Sequence, residues 1–189
     1  IGGSEPNTSV TSSFDAATFE ALSGGISNGE SILFKAILTD KAGNAKTGTE
    51  SGTSIAFDQS VPAFSSVTPS TGSSVKVADV GYTLSEAIAS GTVKYTRTGG
   101  SSDGANHTQN LLGTELNTGV RSLAAVSSAP TLVDGAIYTI DFNGVDAAGN
   151  AATEVSVTGI VFDTTVPADF TVGSVITTGG TVTAGKWNS

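Results

Sequence analysis

Four side chains that carry oxygen atoms could together bind a metal ion. Asp58 lies shortly before Pro62, Glu86 follows a strand-like run, and Asp146 and Asn150 begin and end the segment Asp-Ala-Ala-Gly-Asn. Calcium prefers about six to eight oxygen ligands from carboxylates, amides, backbone carbonyls and water. Three carboxylates at one place also repel one another unless a cation lies between them. If the fold brings these segments together, the four residues predict a calcium site.

The segment Asp-Ala-Ala-Gly-Asn at 146–150 also has a simpler interpretation as a hairpin turn. An aspartate at the start of a turn accepts hydrogen bonds from backbone amides two residues further on. Gly149 supplies the positive φ that many tight turns require. Both interpretations stay open at this point: a turn alone, or a turn that also supplies a metal ligand.

Other catalytic and metal-binding arrangements find little support in the sequence. There is no cysteine and only one histidine, His107, which lies in a polar segment and is expected to have no functional role. Cysteine-ligated zinc, thiolate catalysis and disulfides are therefore excluded. No Gly-x-Ser-x-Gly strand–turn–helix context occurs for a serine nucleophile. The pairs Asp141/Asp146 and Glu50/Asp58 could serve as glycosidase acid and base only across a cleft, which nothing predicts. We expect no enzymatic activity.

Composition narrows the class of protein and its partners. The 189 residues include 27 Thr, 25 Ser and 24 Gly, whereas charged residues make up 13 %. Such a composition favours strands and tight turns over helices. The net charge of −9 repels phosphate backbones, so nucleic acid is not an expected partner. No apolar run is long enough to span a membrane, and we expect any export signal to lie outside this segment.

Two motifs recur with nearly the same spacing. The segment Asp-Lys-Ala-Gly-Asn at 40–44 is repeated 106 residues later at 146–150, and the segment Phe-Asp-Gln-Ser-Val-Pro at 57–62 is repeated 105 residues later at 162–167. A repeat of this length is the size of a small domain. We therefore expect the second half of one module in 1–58, a complete module in 59–164, and the opening strands of a further module in 165–189.

Alternating apolar residues predict short strands in every module. Tyr138, Ile140 and Phe142 fall on one face of a strand, and the first copy has Ile32, Phe34, Ala36 and Leu38 at the same period of two. Further strands are predicted at 80–84, 92–96 and 155–162, the last with a bulge at Gly159. Short helical turns are expected only within 16–22 and 113–123. This pattern predicts an all-β sandwich.

The segment Leu-Val-Asp-Gly-Ala-Ile-Tyr at 132–138 resembles the tyrosine corner of fibronectin type III and immunoglobulin-like domains. Together with the two repeated motifs, it resembles the bacterial Ig-like tandem repeats of large secreted adhesins and other cell-surface proteins. The resemblance implies Greek-key immunoglobulin-like β-sandwich modules, with the Tyr138 hydroxyl satisfying backbone at the corner. It also implies that the linker with Asp58, the loop with Glu86 and the hairpin at 146–150 lie at one end of a module. Calcium often stiffens such joints.

These observations favour a structural function at the bacterial cell surface. We expect an extracellular stalk or filament of an adhesin, with neighbouring modules or copies of the same protein as its partners and calcium at its joints. One alternative is a subunit that polymerises head to tail, because the strand-like segments in 168–189 could complete a neighbouring copy. Another is a module that binds a glycan or a cell-surface protein through the loop at 99–109, or through Lys94, Tyr95 and Arg97 with Trp187.

Overall fold

The structure is a computed structural model that describes residues 25–122, 127 and 129–173. Regular structure in these residues consists of twelve strands and a single 3-10 turn, Gly113–Leu116. The strands are β1 Ser31–Ile32, β2 Ile37–Thr39, β3 Ala45–Thr47, β4 Ile55–Ala56, β5 Phe64–Thr68, β6 Ser74–Val75, β7 Gly81–Leu84, β8 Ser90–Gly100, β9 His107–Asn110, β10 Gly119–Arg121, β11 Ala136–Val145 and β12 Val155–Phe162. The described part of the chain is therefore all-β, as the sequence predicts.

Two sheets in 59–164 share one hydrophobic core. One has the strand order β10-β7-β5 and the other β6-β12-β11-β8-β9, and all pairs are antiparallel except β6 with β12. Phe64 and Tyr82 of the first sheet contact Phe142 of the second, each with ring centroids 6.0 Å apart. These aromatic contacts join the two sheets, since the inward faces of both must be removed from water.

Strand β11 follows the predicted alternation along its whole length. Tyr138, Ile140 and Phe142 are at most 2 % exposed, and the residues between them point away from the core. The predicted bulge in β12 is also present. The register with β11 shifts between the pairs Tyr138–Ile160 and Ile140–Val157, and Gly159 has a φ of 69°. The bulge lets both Val157 and Ile160 face the core, although they are three positions apart.

The short helical turn predicted within 113–123 is present. Residues Gly113–Leu116 form a 3-10 turn, in which the Leu112 amide donates to Glu115 Oε2 at 2.7 Å. Residues Gly119–Arg121 are instead strand β10, which pairs with β7 because the sheet offers a free edge there. The turn predicted at 16–22 lies outside the described residues. In the part of the chain that is described, no helix is long and apolar enough to cross a membrane.

The segment 25–58 reproduces hydrogen bonds of the complete two-sheet unit. Ser31 pairs with Ala56 as Ile137 pairs with Val161, which preserves the offsets of the sequence repeat. Likewise, the backbone amide of Gly29 donates to the Phe57 carbonyl at 2.8 Å, and the equivalent bond from Gly135 to Phe162 is 2.7 Å. The similarity of the two copies therefore extends from sequence to backbone pairing.

The burial of this first copy differs from the predicted pattern. Instead of one continuous strand over Ile32 to Leu38, the structure has two short strands, β1 and β2. Phe34 is 37 % exposed and Leu38 is 76 % exposed. In 59–164 the equivalent face of β11 is covered by β5 and β7, and within residues 25–58 no sheet covers the face of β1 and β2.

The expected strands after residue 167 are likewise not seen where the chain is described. Residues 163–173 contain no strand, and Phe170 is 84 % exposed. The remainder of the predicted strand segments, 174–176 and 181–183, lies outside the described residues.

A hydrogen-bonded cluster holds the corner before β11. The Val133 amide donates to Tyr138 Oη at 3.0 Å, and this hydroxyl donates to Asp103 Oδ2 at 2.6 Å. His107 Nε2 lies 2.9 Å from the same carboxylate oxygen, and the Ala105 amide donates to Oδ1. The His107 side chain is therefore part of this structural cluster and only 18 % exposed, whereas the expectation that it has no functional role stays a prediction. The sequence analysis considered His107 by itself and did not predict its contact with Asp103, four positions away.

Replacing Ile140 with alanine should lower the free energy of unfolding by about 2–5 kcal/mol, because a buried side chain is lost and a cavity remains. Ile37→Ala is the matched control: that side chain is 64 % exposed, so a change of about 0.5 kcal/mol or less is expected. Urea unfolding followed by circular dichroism measures both. Equal losses in the two variants would contradict the described division into a buried and an open copy.

Acid stability should depend on Asp103. The hydrogen bond from Tyr138, together with those from Ala105 and His107, lowers the pKa of Asp103 to about 2. A carboxyl whose pKa is depressed by folding stabilises the folded state above its unfolded pKa of about 3.9 and loses that contribution as the pH falls towards 2. Asp103→Asn should therefore lower the melting temperature at pH 7 and weaken its fall between about pH 5 and 2.

The exposed Asp169 supplies the control for this experiment. Asp169→Asn should leave the melting temperature and its pH dependence close to those of the unchanged chain, because the residue lies in an exposed segment without strands. If Asp103→Asn leaves the acid dependence as steep as before, Asp103 does not carry it.

Candidate metal centre at the junction

Three of the predicted ligands come together where residues 25–58 join the two-sheet unit. Asp58 lies in the linker between β4 and β5, Glu86 lies just beyond β7, and Asp146 directly follows β11. One carboxylate oxygen from each lies within 4.8 Å of the others. Two oxygens on opposite sides of one calcium ion are about 5 Å apart. The spacing therefore fits a shared cation.

Strand pairing explains why the linker lies beside the loop after β7. Phe64 pairs with Leu84, and the chain beyond this pair continues with reciprocal bonds between Ala63 and Ser85. The Ala63 amide donates to Ser85 Oγ at 2.9 Å, and the Ser85 amide donates to the Ala63 carbonyl at 3.1 Å. Pro62 is fully buried next to them. These contacts hold the end of the linker against the loop that carries Glu86.

The loop after β11 is closed around Asp146. Its Oδ1 accepts hydrogen bonds from the amides of Gly149 at 2.7 Å and Asn150 at 2.8 Å. Its Oδ2 accepts from Asn150 Nδ2 at 2.8 Å, and the Asp146 amide donates to the Asn150 carbonyl. Gly149 has a φ of 100°, which a residue with a side chain rarely adopts. Asp146 is only 5 % exposed as a result.

Asn150 joins this loop to the linker. Besides its bond to Asp146, Asn150 Nδ2 donates to the backbone carbonyl of Asp58 at 3.0 Å. The side chain thus spans two segments that are 92 residues apart in sequence. Its amide nitrogen holds the loop against the linker. The role of its oxygen as a metal ligand stays a prediction.

The electrostatics of the junction are unbalanced. Burial, followed by the charges of Asp58 and Asp146, raises the pKa of Glu86. Burial also acts to raise the pKa of Asp146, but the hydrogen bonds from Asn150 and Gly149 outweigh it and leave that pKa below its ordinary value. Asp146 is therefore held in its charged form. The charged form of Glu86 is disfavoured, because that side chain is partly buried beside two other carboxylates. A bound cation would relieve this repulsion.

The first copy of the repeated motif shows which features of the loop belong to the turn alone. Asp40 Oδ1 accepts from the amides of Ala42 at 2.9 Å and Asn44 at 2.8 Å, and Asn44 Nδ2 donates to Asp40 Oδ2 at 2.8 Å. These bonds lower the pKa of Asp40, chiefly through the Asn44 side chain. Turn chemistry therefore accounts for the motif itself in both copies. What distinguishes the second copy is the approach of Asp58 and Glu86.

Among the residues suggested for a sugar-binding patch, Tyr95 does not lie on the surface. Tyr95 is 1 % exposed, and its hydroxyl donates to the Ala78 carbonyl at 2.8 Å inside the core. Arg97 donates to the carbonyls of Gly100 and Ser101, which close the end of β8. Trp187 lies outside the described residues. Tyr95 is therefore not available to stack on a sugar ring, since its alternating position on β8 points it inward.

A comparison with models of known protein families and a comparison with curated proteins found no match to this chain. Its function therefore has to be inferred from the geometry of the junction and of the two sheets.

Proposed function

We propose that this chain is a structural segment of immunoglobulin-like modules that forms a stalk or filament of a bacterial surface adhesin, with calcium stiffening the joint. The observation that carries the proposal is the junction itself. Asp58, Glu86 and Asp146 come from a linker and two loops, and their oxygens lie within 4.8 Å of one another. A cation shared by all three would tie the linker to the module that follows it.

The strand order supports an immunoglobulin-like Greek key. The sheet β10-β7-β5 corresponds to strands E, B and A of such domains, and β12-β11-β8 corresponds to G, F and C. Tyr138 near the start of β11 fits the tyrosine corner, since its hydroxyl accepts from the Val133 backbone. The hydrogen bonds that recur at offsets of 105 and 106 residues support module boundaries near 58 and 164.

The surface chemistry fits a mechanical role better than a catalytic one. The outward face of the five-stranded sheet carries polar pairs: Ser156 donates to Asp141 at 2.6 Å, and Asn143 donates to Glu154 at 2.6 Å. The net charge of −9 keeps copies apart and disfavours nucleic acid. We place such a segment outside the cell, where calcium is abundant, and assign it no enzymatic activity.

Head-to-tail polymerisation is the second candidate, and the exposed apolar residues favour it. Leu38 and Ile55 are 76 % and 56 % exposed in the first copy, on strands whose counterparts in 59–164 border the core. Phe170 lies three residues after Pro167 and Phe64 lies two residues after Pro62, but Phe170 is 84 % exposed and Phe64 is 6 % exposed. Residues 168–189 of one copy could therefore supply strands to the open face of another.

Calcium should raise the melting temperature of the full chain, and Glu86→Gln should remove most of that effect. At ten times its Kd, a ligand that binds only the folded state stabilises it by about 1.4 kcal/mol. For a chain of this size the rise is about 3–6 °C. Scanning calorimetry in chelator and in about 1 mM calcium measures it, a concentration suited to extracellular sites.

Glu50→Gln is the matched control, because Glu50 is an exposed carboxylate that pairs with Lys35 away from the junction. It should keep the full response to calcium. The proposed metal site is contradicted if calcium does not change the melting temperature of the unchanged chain. It is also contradicted if calcium raises the melting temperatures of Glu86→Gln and Glu50→Gln equally. Asp146→Ala should also weaken calcium binding in isothermal titration, with the added loss of the turn.

Strand donation makes a separate prediction for the full chain. Electron microscopy and sedimentation should show filaments that disappear when residues 168–189 are deleted, and Phe170→Ser should shorten them. Thr171→Ser is the control, since it changes a neighbouring side chain and removes only one methyl group. Filaments that persist after the deletion, or an unchanged chain that stays monomeric at high concentration, would count against this candidate.

A further inference from the structure

One side chain of the first copy, Asn28, is hydrogen-bonded to the linker that leaves this copy. Asn28 Oδ1 accepts a hydrogen bond from the Gln59 amide at 2.6 Å, and Asn28 Nδ2 donates to Ser60 Oγ at 2.9 Å. Asn28 lies in the turn before β1, whereas Gln59 and Ser60 follow β4. The two bonds therefore connect the turn that precedes one strand to the chain that leaves its partner strand.

The same arrangement recurs at the end of 59–164. Asp134 Oδ1 accepts from the Thr164 amide at 2.6 Å and from its hydroxyl at 2.8 Å, and Asp134 Oδ2 accepts from Thr165 Oγ1 at 2.9 Å. Asp134 lies 106 residues after Asn28, and Thr164 lies 105 residues after Gln59. These hydrogen bonds lower the pKa of Asp134, the Thr164 amide most of all.

A second bond in each linker completes the repeat. Asp58 Oδ1 accepts from the Ser60 amide at 2.9 Å, and Asp163 Oδ1 accepts from the Thr165 amide at the same distance. Two successive residues of each linker thus have their amides bound to side chains. Backbone that is bound in this way has little freedom to rotate, because each rotation would break a hydrogen bond.

The described linker is also held on its downstream side. The Asp58 carbonyl accepts from Asn150, and Ala63 exchanges bonds with Ser85. Residues 58–63 are therefore bonded to the segment before them through Asn28 and to the segment after them through Asn150 and Ser85. None of these bonds involves a metal ion.

We propose that Asn28 and Asp134 are positioning residues that fix the direction in which each linker leaves its module. Successive modules would then repeat one angle even without calcium. The extension to modules beyond residue 163 rests on the proposed stalk function, whereas the rigid joint at Asn28 does not. An asparagine and an aspartate can serve alike, because the serine or threonine hydroxyl opposite can either donate or accept.

Residual dipolar couplings of the full chain in chelator test the joint at Asn28. In the unchanged chain, the amides of 31–56 and of 64–162 should fit one alignment tensor. In Asn28→Ala the couplings of each segment should still fit the structure of that segment, but the two segments should need different alignment tensors. The smaller segment should show the weaker alignment. Asn28→Asp is the matched control and should restore a single tensor, since aspartate occupies the equivalent place at 134. A single tensor in Asn28→Ala would overturn the proposal.

Ser60→Ala is a second variant for the same measurement, to be used if Asn28→Ala unfolds residues 31–56. It removes the hydroxyl but leaves the Gln59 amide bound to Asn28, so a smaller difference between the two tensors is expected. Two tensors that remain equal in Ser60→Ala would then overturn the proposal. Because no calcium is present, failure here is distinct from failure of the metal site, which calorimetry measures separately.

The exit at Asp134 is tested on the same chain by relaxation of the amides of Thr164 and Thr165. Asp134→Ala should lower their order parameters from values near 0.85 towards 0.6 or below, the range of flexible backbone. Asp134→Asn should keep them high, because asparagine stands at the equivalent position 28. Order parameters that stay near 0.85 in Asp134→Ala would refute the assignment of Asp134.

Discussion

The pairing of β11 with a neighbour on each side is the constraint on which the rest of the described structure depends. β11 bonds to β8 along its whole length and to β12 over most of it, and its inward side chains fill the core. At one end Tyr138 fixes the corner loops through Val133 and Asp103. At the other end the strand delivers Asp146 to the junction. A slip of one residue would turn the core side chains outward and move both sites at once.

The sequence predicts those features that depend on local periodicity. The alternation around Ile140 and the bulge at Gly159 are visible in the sequence because side chains alternate along a strand and a glycine interrupts the pattern. The convergence of Asp58, Glu86 and Asp146 was also predictable, but only through an assumed arrangement of loops. Contacts that depend on three-dimensional placement were missed. Nothing in the sequence around His107 indicates that Tyr138 would share its partner Asp103.

The first copy shows the limit of periodicity most clearly. Ile32 and Leu38 alternate as core residues do, yet Leu38 is 76 % exposed. Alternation reports that a face is apolar, whereas burial depends on a second sheet lying over that face. The turn motif illustrates the opposite case. Asp40 and Asp146 form the same loop in both copies, because its bonds are made entirely within five residues.

The parallel pairing of β6 with β12 bears on how the two-sheet unit would respond to tension. The carbonyls of Ser73 and Val75 accept bonds from the amides of Val161 and Asp163, so the second strand of the unit is bonded to its last strand. When the two ends are pulled apart, two parallel strands slide along each other, and their bonds are strained together and not opened one by one. A unit that joins an early strand to its last strand in this way resists extension once the load reaches β6 and β12.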